Sequence, residues 1–266
     1  MRNIIVLVIS LLMFSSCDLI VGGIQSILKI KEETEKKEDV KEEDARKPKV
    51  KNGEKRYYYD SGQLKSIVTY KDNKKVGVSH TYYKSGEKQY DIPYQDGKKH
   101  GKVLWYYKSG KVYRETEYQN GKKNGTQRKF WEDGKLKSEL NYKDNMLSTG
   151  LKEYSNTGKQ KSTPHIKVEE INTLRTTGEY TIRLKMSNGN KRVQFYQGEL
   201  IEGKFFPKDG RGFMELRTKS GVGELKIRIQ SGYQMTKDFY VVAVESTPYK
   251  NKRVLSKKIP ISIRNP

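Results

Sequence analysis

Cys17 is the residue best placed to do chemistry. It is the single cysteine of the chain, and it stands directly behind an apolar run, Ile4–Phe14, and two small residues, Ser15 and Ser16. A lone thiol forms no internal disulfide. It can instead carry a thioether-linked lipid, and cleavage before it frees an α-amine for acylation. The other reactive side chains do not converge. His80, His100 and His165 lie far apart in sequence, and no metal pair is expected from them. Gly210-Arg211-Gly212 lacks both the pattern and the following helix of a phosphate-binding loop. No serine or cysteine nucleophile motif is present, and hairpin charge pairing accounts for Glu115 and Glu117. The sequence therefore reads as a non-enzyme with no catalytic residue, metal or cofactor. Its candidate binding residues are aromatic: Tyr82, Tyr83, Trp105, Tyr106, Tyr107 and Trp131. These rings either meet a partner or stack on their own neighbours.

Residues 1–16 read as a signal peptide. Met1-Arg2-Asn3 is a short basic start, and the apolar run of 11 residues falls short of the roughly 20 that a membrane span requires. Phe14-Ser15-Ser16-Cys17 resembles a bacterial lipobox, with Phe14 where Leu, Val or Ile is usual. The resemblance implies that Cys17 becomes the lipidated first residue, held stably in a membrane by several acyl chains. The expected location is the bacterial cell envelope, on the outer membrane. The inner membrane is the alternative, because Asp18 resembles a retention signal of enteric bacteria. Residues 17–52 read as a tether. Ile20, Ile24, Ile27 and Leu28 share one helical face, residues 31–47 alternate small blocks of opposite charge, and Pro48 ends any helix there.

The elements that must position the aromatics come from a 24-residue repeat over residues 53–162. Gly62, Gly86, Gly110, Gly134 and Gly158 form one column. Gly53, Gly77, Gly101 and Gly125 form a second, broken at Thr149. Tyr58, Tyr82, Tyr106, Phe130 and Tyr154 form a third, with Tyr59, Tyr83, Tyr107 and Trp131 beside them. Tyr70, Tyr94, Tyr118 and Tyr142 form the last. Each copy reads as strand, tight turn, strand, looser turn. Lys108-Ser109-Gly110 is the tight turn of the third copy, and residues 120–125 are its looser one. Even spacing puts Leu64, Val68 and Tyr70 on one face, so an apolar aromatic face and a charged face are expected. About ten strands in an antiparallel meander span of the order of 45 Å.

The segments YYKSGKVYRETEYQNGKKNG (106–125), YYKSGEKQYDIPYQDGKKHG and FWEDGKLKSELNYKDNMLSTG resemble the bacterial variant of the MORN repeat. The resemblance implies a non-enzymatic interaction module, in a family that includes many lipoproteins and antitoxin-like proteins. Pro93 and Thr149 depart from the pattern and predict local irregularity.

Residues 163–266 leave the repeat register. Seven short strand-like runs, among them Tyr180–Met186 and Phe239–Glu245, whose Tyr240–Val244 is apolar on both faces and the best central-strand candidate, predict an immunoglobulin-like β-sandwich or a cap that extends the repeat sheet. The fold class is all-β throughout. The chain carries a net charge of +22. Residues 51–162 hold 25 basic against 13 acidic side chains, and residues 163–266 hold 20 against 10. That field attracts acidic partners or anionic polymers. The expected function is an envelope lipoprotein acting as a scaffold toward a protein partner. Two alternatives are an immunity protein that neutralises a toxin and a binder of anionic glycans or lipid headgroups. Nucleic acid is not an expected partner of an exported protein.

Overall fold

The computed structural model describes residues 51–266. The expected signal peptide, Cys17 and the expected tether through Val50 lie outside the described residues. The repeat region holds β1 (Gly53–Tyr58), β2 (Leu64–Lys71), β3 (Lys74–Tyr82), β4 (Lys88–Gln95), β5 (Lys98–Lys99) and β6 (Gly101–Tyr106). It continues with β7 (Val112–Gln119), β8 (Lys122–Phe130), β9 (Leu136–Lys143), β10 (Met146–Ser148) and β11 (Lys152–Glu153).

Two kinds of turn build each copy. At the first, Gly62 N–H donates to Tyr59 O at 2.8 Å and Tyr59 N–H donates to Gln63 O at 2.9 Å. Gly62 adopts φ 86°, a conformation that suits glycine, and the extra residue on the returning strand shifts the register at Tyr57/Tyr58. The same bonds recur at Gly86, Gly110, Gly134 and Gly158. The second turn has two residues, both at positive φ: Asp72-Asn73, Asp96-Gly97, Asn120-Gly121 and Asp144-Asn145. Such a turn matches the twist of the flanking strands. It corrects the expectation of a loose connection over residues 120–125, because β8 begins at Lys122. The second turns also tie the copies together. Asn73, Gly97, Gly121 and Asn145 each donate a backbone N–H to a carbonyl of the preceding copy, at Lys51, Lys75, Lys99 and Lys123, over 2.8–3.0 Å.

The carboxy-terminal region holds β12 (Ile166–Thr173), a one-turn helix (Leu174–Thr177), β13 (Glu179–Met186), β14 (Val193–Gln197) and β15 (Phe205–Phe206). Then come β16 (Met214–Glu215), β17 (Thr218–Lys219), β18 (Val222–Arg228), β19 (Gln234–Ser246) and β20 (Lys252–Arg264). Two antiparallel sheets, ordered β12-β13-β18-β17 and β16-β14-β19-β20, share one core. Tyr180, Ile182, Leu184, Phe195, Leu225, Ile227, Val241, Ala243 and Ile259 fill it. Gly223 makes the packing possible at one point: a Cβ there would lie 2.7 Å from the Phe195 ring.

Sandwich and cap are both realised. The chain between β14 and β16 sends β15 out to the end of the meander, where Phe206 pairs with Leu147 and Phe205 with Ser148. The repeat sheet thus runs β1-β2-β3-β4-β6-β7-β8-β9-β10-β15, with β5 beside β4 and β11 beside β9. A second core seals the join: Leu140, Leu147 and Leu151 of the repeats pack with Leu200, Phe206, Val242 and Val254. This explains why Tyr240–Val244 is apolar on both faces. Val241 and Ala243 point into the sandwich, and Val242 points at the last repeat. Beside this core, Arg253 bridges Glu153 of β11 at 2.9 Å and Glu245 of β19 at 2.5 Å, with all three side chains buried. Glu153 also accepts from Thr247 at 2.6 Å and from Asn251 at 2.7 Å.

Pro93 and Thr149 mark irregular points, as expected. Pro93 lies opposite Val78 in β4, and its partner strand breaks at His100 into β5 and β6. Thr149 leaves the repeat ladder to donate its N–H to Lys204 and to bridge Val254.

Candidate interaction face

The six aromatic candidates divide between the two faces of the sheet. Tyr82 and Tyr106 lie on one face, here the outer face. Tyr83, Trp105, Tyr107 and Trp131 lie on the other, here the inner face, onto which the sandwich packs at the last copy.

Most of these rings hold the sheet together. Tyr59, Tyr83 and Tyr107 each reach into the next copy and donate the phenol O–H to the carbonyls of Tyr82, Tyr106 and Phe130, at 2.7, 2.7 and 2.8 Å. Their equal spacing in sequence is therefore the spacing of an inter-repeat staple. Trp105 donates Nε1–H to the Tyr83 hydroxyl at 3.0 Å, stacks on Tyr90 and meets Tyr113 edge-on. Trp131 ends the column without a carbonyl to reach. It packs edge-on against Tyr249, with the Lys137 ammonium 3.9 Å above its ring.

On the outer face several cations have carboxylate partners. Asp91 accepts from His80 Nδ1 at 2.6 Å and from the Tyr106 hydroxyl at 2.7 Å, with Lys88 at 3.3 Å. Burial opposes ionisation of Asp91, but these hydrogen bonds hold its carboxyl below the usual range. Burial, then the Asp91 hydrogen bond, pushes the Tyr106 phenol up to about 12. Farther along, Glu115 pairs with Lys102 and Arg128, and Glu139 with Arg128.

The inner face differs. Four lysines lie over four tyrosines at a constant interval: Lys51 over Tyr70 (5.4 Å), Lys75 over Tyr94 (5.1 Å), Lys99 over Tyr118 (5.3 Å) and Lys123 over Tyr142 (4.6 Å). Each such contact contributes about 0.5–1 kcal/mol when exposed. The lysine column went unrecognised in the sequence because lysines fill most turns; its 24-residue step was the available signal. Successive rungs are two strands apart, about 10 Å. Beside the Lys99–Tyr118 rung lies a cavity of about 460 Å³ lined by Lys65, Thr81, Tyr90, Ile92, Lys99, Val103, Arg114 and Tyr118 among others. Arg114 lies 4.8 Å over the Trp105 ring. Among the described residues, Lys65, Lys75, Lys99, Arg114 and Lys123 make no ion pair.

Crowding shows in the titration of this face. Burial, followed by repulsion from Arg114, Lys208 and Lys99, brings the Lys123 ammonium down to about 8. Lys129 also falls to about 8, from burial and then Arg114 and Lys137, while it donates to the carbonyls of Tyr249 and Lys250. Burial raises the phenols of Tyr118 and Tyr142. The expected division into one apolar face and one charged face is therefore corrected. Both faces are mixed; Asp91, Glu115 and Glu139 lie on the outer face, Glu153 is buried on the inner face under the sandwich, and the open part of the inner face combines rings and cations.

At the fifth rung the position of Lys51, Lys75, Lys99 and Lys123 is taken by Leu147, which is buried under the sandwich. The inner face is thus covered by protein at its last copy and left open over the earlier ones. A family model described as MORN repeat variant matches residues 51–72, 99–120 and 123–144 and passes over the copy that holds Pro93. No curated protein matches the chain. The repeat sheet is thus similar to the MORN repeat variant at three of its copies.

Proposed function

We propose that this protein is a non-enzymatic, lipid-anchored envelope protein whose repeat sheet docks a partner protein on its inner face. One observation carries the reading: the face that already binds a protein domain, the chain's own sandwich, remains open over the preceding copies. Repeats of this kind are generally protein- or membrane-binding modules. The unpaired cations and the half-buried rings of that face are what a partner would meet. Arg and Tyr are favoured at interfaces because each joins a large contact area to a polar tip. The sandwich is read as immunoglobulin-like. Lettered in chain order with the short strands as C′ and D, its sheets run A-B-E-D and C′-C-F-G, which supports that reading.

The test is capture from native membranes with the full chain against a Lys99→Ala/Tyr118→Ala variant. These two side chains line the open cavity and leave the tyrosine staples intact. Loss of one discrete partner is expected; equal capture by the folded variant would end the face assignment. Labelling with a fatty-acid analogue tests the anchor separately, with incorporation expected in the native chain and none in Cys17→Ala.

A further inference from the structure

Among the described residues, Lys65, Lys75, Lys99, Arg114 and Lys123 of the inner face have no anionic partner, whereas Lys88, Lys102 and Arg128 of the outer face do. Lys65, Lys99 and Arg114 surround a cavity whose floor is Ile92 and Val103 and whose lining includes no carboxylate. Like charges held on one face repel. A ligand that brings negative charge relieves that repulsion. The tyrosine rings under Lys75, Lys99 and Lys123 hold the ammonium groups in a row, so little side-chain entropy is left to lose on binding.

The row has a pitch of about 10 Å, two strand spacings. A peptide in the extended polyproline-II form rises about 3.1 Å per residue with three residues per turn, so every third side chain returns to the same face in step with the row. We propose that the open inner face binds an extended acidic peptide segment of the partner protein, laid across the strands, with carboxylates three residues apart meeting successive Lys–Tyr rungs. The side chains between the carboxylates enter the cavity over Ile92 and Val103. Two features favour a peptide over a membrane surface. The cavity is recessed between Tyr90 and Tyr118. The row also ends at Leu147, where the sandwich closes it. The inference rests on the reading of this face as a protein-binding one. A captured partner with no acidic segment would overturn the inference and leave that reading standing.

The experiment titrates the full chain with an eighteen-residue-scale synthetic peptide carrying Glu at every third position, and with a second of the same composition whose glutamates are contiguous. The periodic peptide should bind at least about tenfold tighter, and Lys99→Gln/Lys123→Gln should cost it at least about another tenfold. The outer-face pair Lys71→Gln/Lys102→Gln removes the same net charge and should change affinity less than about twofold. Equal affinity for the two peptides, no binding, or equal loss in both variants overturns the proposal. So does tighter, inner-face-dependent binding of polygalacturonate or of phosphatidylglycerol vesicles, since either assigns the face to another ligand. Should the inner-face pair unfold, proton uptake by the native chain decides. At pH 8.5 a carboxylate at Lys123, which faces Arg114, Lys99, Lys208, Gln127 and Tyr142, should draw in a proton on binding. Identical binding heats in buffers of different ionisation enthalpy overturn it.

Discussion

Replacing Arg253 by Met tests the argument that the sandwich and the repeats form one cooperative body. Arg253 holds two carboxylates that come from opposite sides of the join, Glu153 of β11 and Glu245 of β19. Its side chain is 7% exposed, and theirs are 3% and 1%. Water cannot take over from the guanidinium at that depth. Removing one partner of a buried ion pair costs about 3–5 kcal/mol, because the remaining charge stays desolvated. For a body of this size that lowers Tm by about 6–20 °C. Glu153 keeps its bonds to Thr247 and Asn251, so the loss should come from the uncompensated charge. The triple variant Arg253→Met/Glu153→Gln/Glu245→Gln should then recover at least half of it. Urea unfolding followed by far-UV dichroism and by intrinsic fluorescence measures both quantities. The native chain should give coincident transitions, and Arg253→Met should separate them. A loss under about 1 kcal/mol, or no recovery in the triple variant, would refute the reasoning.

Tyr107→Phe removes the staple to the Phe130 carbonyl and should cost about 0.5–1.5 kcal/mol in urea unfolding, while Tyr58→Phe, on the exposed edge strand, should cost nothing measurable. Leu140→Ala opens a cavity in the core between repeats and sandwich; it should cost about 2–5 kcal/mol and speed proteolytic cutting near β15. Gly223→Ala drives a methyl group against Phe195 and should cost about 1–3 kcal/mol, read as a lowered Tm. Lys123 and Lys129 have folded pKa values near 8, below the roughly 10.4 of an unfolded lysine, so the unfolded chain binds more protons between those limits. Stability should therefore rise from pH 8 toward pH 10, and Lys123→Met/Lys129→Met should flatten that rise in urea midpoints taken across the range.

Some of the fold was legible in the sequence. The columns of glycine and tyrosine locate every hairpin of residues 53–162, because a turn that demands positive φ and a strand that demands a packed ring recur together. The strands of the sandwich core were also visible, as at Tyr180–Met186, where one face is buried and the alternation is clean. The outer halves of β19 and β20 were not. Thr236-Lys237-Asp238 and Lys257-Lys258 carry no alternation, and backbone pairing alone extends that hairpin. β15 was missed for a related reason, since two residues give no period and Phe205–Phe206 become a strand only by pairing with β10. The aromatic candidates were found by type, but what each ring does depended on its reach. Tyr83 and Tyr107 are bound inward to the next copy, and Tyr82 and Tyr106 face the other way.

The amino-acid sequence by itself determined the repeat, its period and its all-β character, because these follow from backbone preferences and side-chain alternation that act within one copy. It also placed the basic charge along both folded regions. Tertiary structure decided which face that charge occupies. Side chains 19 residues apart, such as Lys99 and Tyr118, become neighbours only when strands pair. Only the folded chain shows that Lys88, Lys102 and Arg128 of one face are paired while Lys65, Lys99, Arg114 and Lys123 of the other are left open. The join was likewise decided in three dimensions: Leu147 takes the lysine position at the one rung where a second domain excludes water, and burial there favours a side chain without charge.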